Sequence, residues 1–254
     1  MNAIAQIPWL MYVLAVLTGY LTGSVSFARI LTRILTKSGH IEEIKAQVPG
    51  SDLTFESDSI SATVVSQNLG KKFGCLTALL DMSKVALPTW LVYTLFPDQP
   101  YYLVTGLAGI LGHDYPVYHH FQGGRGESPM IGAMLVINWF GIFIANAVSV
   151  ILGYLIGSVL VLRYGWYILM IIWYWIYFND IYHVGFMILA NFIFWNSMRP
   201  DLNRYGELRK EDDLEISEEE VSEFLMMGRG MGRSIDRYSL PSLLKKLFSG
   251  ASRS

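Results

Sequence analysis

The chain has 254 residues, 52% of them hydrophobic, a mean hydropathy of +0.36 and a formal net charge of −2. Long uncharged runs at that hydropathy exclude an ordinary soluble domain and predict a polytopic membrane protein. A single cysteine, Cys75, excludes an internal disulfide and a clustered-thiol metal site, and no basic stripe interleaved with aromatics predicts a nucleic-acid partner.

Roughly 20 apolar residues cross a bilayer as a helix. The first uncharged run, residues 7–28, has no small-residue cleavage signal behind it and predicts a retained span at about 9–32, with GSVSF near its end. Arg29, Arg33 and Lys37 follow, which predicts an inner end and leaves the N-terminus outside. Residues 38–59 read as a polar inner loop turning at Pro49-Gly50, with acids at Glu42, Glu43, Asp52, Glu56 and Asp58. The small-residue stretch 59–74 contains Lys71 and Lys72 and predicts a short or re-entrant helix at the interface. A second span, about 73–96, carries Asp81 and Lys84 on one helix face. That spacing lets them neutralise each other where an isolated charge costs about 3 kcal/mol. An outer turn at 97–100 leads to a third span at about 101–118.

The run 130–162 is too long for one span and predicts two short ones parted near Asn146, with Arg163 marking the return inside. Spans six and seven, about 165–178 and 181–197, flank an outer turn at Asn179-Asp180, and the run WYWIYF at 173–178 reads as an interfacial aromatic belt. The predicted fold is thus all-α, a seven-transmembrane-helix bundle with the N-terminus outside and the C-terminus cytoplasmic. Every lysine and arginine except Lys84 then falls in an inner segment. Residues 1–200 form the transmembrane domain and 201–254 a charged cytoplasmic tail. In that tail Ser217 and Glu220 make a capping box for an amphipathic stretch with Leu214, Val221, Phe224 and Leu225. GRGMGR at 228–233 reads as a flexible break, and LPSLLKKLFSG at 240–250 as a basic amphipathic helix on anionic lipid or a loose end.

The richest chemistry lies at 106–128, GLAGILGHDYPVYHHFQGGRGES, where an apolar segment ends in histidines and then a glycine loop. Glycines let backbone N–H groups approach an anion closely, and Arg125 among Gly123, Gly124 and Gly126 adds a fixed planar cation. The same pattern also suits a tight turn whose cation follows the positive-inside rule. His113, His119 and His120 have no carboxylate cluster to complete a metal site.

These residues resemble the PlsY family, membrane acyl-phosphate:glycerol-3-phosphate acyltransferases, over 18 to about 207. GSVSF is similar to the family's GSIPF, SATVVSQNLGKKFGCLTALLDMSK to GATNVLRTLGKKAGLLVLLLDVLK, and GLAGILGHDYPVYHHFQGGRG to GLAAVLGHMFPVFLKFKGGKG. The resemblance implies seven spans, an external N-terminus and a catalytic face on the cytoplasmic side of the inner (plasma) membrane. It also implies attack of the glycerol 3-phosphate 1-hydroxyl on an acyl phosphate, without an acyl-enzyme and without a cofactor or metal. The residues that would serve are Ser57 and Arg125 as catalytic groups, with Ser24, Ser57, Lys71, Lys72, His113, Gly123, Gly124, Arg125, Gly126 and Arg199 holding phosphates and substrate.

Departures from the family pattern are equally specific. Its GSGN-x-GATN serine is kept as Ser57, but the closing asparagine is Val64 and the arginine ten residues after that serine is Gln67. The loop lysine is Arg125, followed by Glu127, Ser128 and Pro129 in place of VAT. The histidine and asparagine beyond the last span are Met198 and Asp201. No histidine has an aspartate five positions on, so the HxxxxD acyltransferase pattern is absent. Two readings follow: an acyltransferase using acyl phosphate and glycerol phosphate in phospholipid synthesis, or a catalytically degenerate scaffold or lipid-binding subunit with a protein partner on 201–254.

Overall fold

The computed structural model describes residues 8–36, 44–47, 54–57, 59–211, 217–224 and 229–251. In chain order they form α1 (Pro8–Gly23), α2 (Phe27–Leu35), β1 (Ile44–Gln47), β2 (Thr54–Ser57), α3 (Ala62–Leu69), α4 (Lys71–Leu95), α5 (Tyr101–Asp114), α6 (Glu127–Ile156), α7 (Val159–Phe178), α8 (Ile181–Glu211), α9 (Glu218–Phe224), α10 (Arg229–Tyr238) and α11 (Leu240–Ala251). Five stretches among the described residues are helical, long and apolar enough to cross a membrane: Trp9–Leu35, Lys71–Leu95, Glu127–Ile156, Val159–Phe178 and Ile181–Asn203. The protein is a helical, multi-pass membrane protein. The chain divides into two compact units, one of residues 1–44, 56–139 and 174–201, the other of 45–55, 140–173 and 202–254.

In the first unit the GSVSF stretch breaks the first span. The helix stops at Gly23 and restarts behind Ser26, whose hydroxyl accepts the Arg29 N–H at 3.5 Å. The break leaves Val25 between two helices, with its carbonyl outside either ladder. Helix α1 crosses α5 through small residues. A Cβ on Gly19 would strike the Thr105 carbonyl, one on Gly23 the backbone of Gly109, and one on Gly112 the Tyr20 carbonyl. Without a hydrophobic driving force between helices in lipid, this close backbone approach is how such pairs gain contact. The short helix expected over 59–74 is α3, separated from α4 by Gly70 at φ +98°, a conformation suited to glycine.

Asp180 caps α8. Its Oδ1 accepts the N–H groups of Tyr182 (2.9 Å) and His183 (3.1 Å), and Oδ2 lies 2.6 Å from His183 Nδ1. Burial pulls this carboxyl up, but the bonds from His183 and Tyr182 outweigh it and hold it below its ordinary value.

Several expectations are corrected. The stretch 38–59, expected as a polar loop, holds a two-stranded sheet, β1–β2, and the expected turn at Pro49-Gly50 lies outside the described residues. The run after the glycine loop is helical through Asn146. It breaks instead at Asn138 (φ −159°, ψ 79°) and at Gly157 (φ +79°), which puts Arg163 inside α7. Helix α8 continues through Pro200 to Glu211 instead of ending there. Tyr174, in the aromatic run, is fully buried and lies parallel to the Phe186 ring, while Trp175 and Tyr177 are exposed. In the tail, α9 follows Ser217 as the capping pattern predicts, whereas α10 runs over the glycines expected to be flexible. Leu214 and Leu225 lie outside the described residues.

The α1–α5 crossing sets a stability prediction. Gly23→Leu forces the helices apart and lowers the thermal unfolding midpoint in detergent, by the equivalent of about 1–3 kcal/mol or more. Gly185→Ala, where nothing lies within 4 Å, leaves the midpoint unchanged or raises it by up to about 1 kcal/mol.

Candidate functional site

The site begins with a cation removed from water. Lys84, buried on α4, donates to the Val25 carbonyl freed by the α1–α2 break (2.6 Å) and contacts His113 Nδ1 on α5 (2.9 Å). Asp81 Oδ1 is 2.8 Å away as its ion-pair partner. Three acceptors thus surround an ammonium with three donors. Because that ammonium can only donate, Nδ1 of His113 is the acceptor, which assigns the ring proton to Nε2.

Nε2 points at the glycine loop. A Cβ on Gly124 would overlap it, one on Gly123 would strike the carbonyls of His113 and Asp114, and one on Gly126 (φ +74°) would meet the Asp114 carboxylate. The Gly124 N–H donates to the His113 carbonyl at 3.3 Å. Close packing on the end of α5 therefore accounts for all three glycines. Asp114 is buried with both carboxylate oxygens lacking a hydrogen bond among the described residues. The Ser197 hydroxyl lies beside it, yet its hydrogen bonds run to the carbonyls of Phe194 (3.0 Å) and Arg125 (3.3 Å).

Four further segments fix the loop. Arg29 donates to the Gln122 carbonyl (2.8 Å), and the Ile60 N–H donates to Gly123 O (3.1 Å), which ties the chain just after β2 to the loop. Buried Ser24 donates to Tyr20 O (2.7 Å) and accepts the Val117 N–H (3.3 Å). Arg125 itself meets Asp201 on α8 in a two-pronged pair, Nε to Oδ2 at 2.7 Å and an Nη to Oδ1 at 2.8 Å. Glu127 opens α6, where the helix dipole favours an anion.

The structure thus brings Ser24, His113, Gly123, Gly124, Arg125 and Gly126 into one connected cluster. Lys71 and Lys72 are exposed at the start of α4, and Arg199 is exposed on α8, with no ion pair to any of them among the described residues. Ser57 ends β2, with its side chain outside the described residues. Sequence reasoning missed the Arg125–Asp201 pair, although the two residues stood out as separate departures of opposite sign. It also read Lys84 as paired with Asp81 alone, because spacing along one helix says nothing of Val25 or His113. Among the described residues no group of three or more His, Cys, Asp or Glu could hold a metal.

Removing one member of the buried pair isolates the other. Lys84→Met leaves Asp81 stranded and costs about 3–5 kcal/mol, whereas Lys84→Met with Asp81→Asn recovers more than half of that loss in thermal unfolding.

The sequence profile of the family described as glycerol-3-phosphate acyltransferase matches residues 13–206. The glycerol-3-phosphate acyltransferase of Myxococcus xanthus (strain DK1622) is 42% identical over 124 residues, covering 48% of this chain and 58% of that protein. That of Aquifex aeolicus (strain VF5) is 32% identical over 141 residues, covering 51% and 66%. The chain therefore spans less than two thirds of the length of these curated relatives. A crystal structure of PlsY (YgiH), an integral membrane glycerol 3-phosphate acyltransferase, in its glycerol 3-phosphate form has a TM-score of 0.62 at 22% identity, covering 78% of this chain and 93% of that one. The fold is thus shared, and through residues 13–206 this chain belongs to the glycerol-3-phosphate acyltransferase family.

Proposed function

We propose that the protein transfers an acyl group from acyl phosphate to glycerol 3-phosphate at the inner (plasma) membrane, in phospholipid synthesis. The observation that carries this reading is the family match across the whole cluster, from the α1–α2 break to Asp201. The acceptor's 1-hydroxyl oxygen bonds to the acyl carbon, the bond between that carbon and the phosphate oxygen breaks, and the hydroxyl proton leaves on inorganic phosphate. Because the departing phosphate takes the proton, the protein's task reduces to neutralising and aligning two phosphates. Arg125 and the exposed Lys71, Lys72 and Arg199 are the groups for that task, with Ser57, Ser24, His113 and the three loop glycines around them.

We further propose seven crossings with the N-terminus outside. The Arg125–Asp201 pair holds the start of α6 and the end of the α8 span at one face. Seven crossings require residues 127–156 to pass twice. The break at Asn138 supports two short passes there. An impermeant thiol reagent added outside intact cells should label Asp98→Cys and leave Gln122→Cys unmodified, both in a Cys75→Ser background. The reverse pattern overturns the orientation.

A second reading, a non-catalytic scaffold or lipid-binding subunit, is favoured by one set of observations. At two positions where the family pattern has polar groups, Val64 and Met198 are buried in the apolar interior. Phosphate release from palmitoyl phosphate by purified protein in a lipid mesophase separates the two readings: release that depends on glycerol 3-phosphate supports the enzyme, and none with any glycerol phosphate supports the scaffold. Given turnover, Arg125→Met lowers kcat/KM by about 100-fold or more. Asp201→Asn, by releasing the guanidinium to phosphate, lowers KM for glycerol 3-phosphate about tenfold, the equivalent of about 1.4 kcal/mol.

A further inference from the structure

The family match ends at residue 206, so α9, α10 and α11 lie outside it. Within the second unit they are anchored at the turn between α6 and α7. The Glu218 carboxylate accepts the Val159 N–H at 2.6 Å, capping the first turn of α7. The hydroxyls of Tyr154 and Ser234 hydrogen-bond at 2.7 Å. A Cβ on Gly157 would lie 3.3 Å from both Pro241 Cγ and Ser239 Oγ, so the start of α11 abuts the turn itself. Helices α6 and α7 are both long and apolar enough to cross a membrane, and a turn between two such crossings belongs at the membrane–water interface.

Helix α11 leaves that turn with a continuous apolar stripe. Leu240, Leu243, Leu244, Leu247 and Phe248 follow the i, i+3, i+4, i+7, i+8 pattern of one face, and all are exposed, Leu247 by 69% and Phe248 by 74%. Lys245 and Lys246 flank the stripe on its two sides, where long stems keep ammonium groups in water while the face beneath them sits in hydrocarbon. Lys246 also donates to the Arg237 carbonyl at the end of α10, fixing the angle between the two helices. An uncovered apolar face, cations at its margins and an anchor at interfacial depth share one complement.

We propose that α11 is an in-plane membrane anchor that seats its leucine and phenylalanine stripe in the interface of an anionic bilayer. This lipid contact is separate from the site around Arg125 and stands whether or not the protein catalyses acyl transfer. Membrane-spanning helices hold the protein in the bilayer already, so the anchor's effect is to fix α9 and α10 against the membrane surface.

The test uses the full chain in nanodiscs of equal phosphatidylcholine and phosphatidylglycerol, in a Cys75→Ser background. Leu247→Cys on the stripe or Ser242→Cys on the opposite face carries an environment-sensitive fluorophore. Brominated lipid should quench the label at 247 severalfold more than that at 242, and aqueous iodide should do the reverse. Lys245→Gln should move the balance between lipid-seated and water-facing α11 about fivefold toward water. Iodide access at 247 equal to that at 242 overturns the proposal. So does shielding of 247 from both quenchers, which assigns the face to a second copy or another protein. Seating that is indifferent to Lys245→Gln overturns the preference for anionic lipid.

Discussion

An ammonium group cannot stay in a membrane interior without acceptors on every side, and the site depends on how Lys84 meets that demand. The interruption after Gly23 exposes the Val25 carbonyl, Asp81 supplies the counter-charge from the same helix, and His113 turns Nδ1 inward. Once Nδ1 is committed, Nε2 is aimed at the following loop, and only a residue without a Cβ fits at position 124. The backbone shape that presents Arg125 is therefore dictated from beneath by one buried charge. Hydrogen bonds from Arg29, Ile60 and Ser197 then hold that shape from three other segments.

This dependence changes what the glycines mean. A glycine loop with a cation invites a phosphate cradle, yet close approach to His113 and Asp114 explains each glycine here, and the Gly124 N–H is already engaged. The anion-binding capacity of the face then rests on its side-chain cations. Of these, Arg125 is committed to a carboxylate in the geometry that a phosphate would adopt, while Lys71, Lys72 and Arg199 stand in water. Under the proposed function, a phosphate binding Arg125 would have to displace or share the fork with Asp201.

Much of this was legible in the sequence because it is local. The short helix before Lys71-Lys72, the Asp81–Lys84 spacing and the capping serine before α9 each follow from neighbours a few residues apart, whereas the break at GSVSF lay inside a run that hydropathy reads as one span. What escaped depends on distant contacts or on degeneracy within a uniform pattern. Asn138 and Asn146 are equivalent interruptions of one apolar run, and nothing in hydropathy chooses between them. Pro200 fails to end α8, since a proline removes one backbone bond and a long helix continues on the others. The glycines of α10 are helical, and Gly232 packs directly on the backbone of Glu218 and Glu219 in α9.

The departures from the family pattern sort by how their polarity is handled. Val64 and Met198 are absorbed by the apolar interior, and Arg125 and Asp201 balance each other. Asp114 fits neither group. It stands where the family's span carries methionine, buried beneath Gly126 with two carboxylate oxygens that no hydrogen bond among the described residues satisfies. Each such oxygen costs about 1–3 kcal/mol, a penalty that packing alone would remove by returning an apolar side chain. A fold kept only as a scaffold gains nothing from that penalty. Under the proposed transfer a second polar group beside Arg125 would have a use, which is a local reason to test the cluster as chemistry and not only as inherited shape.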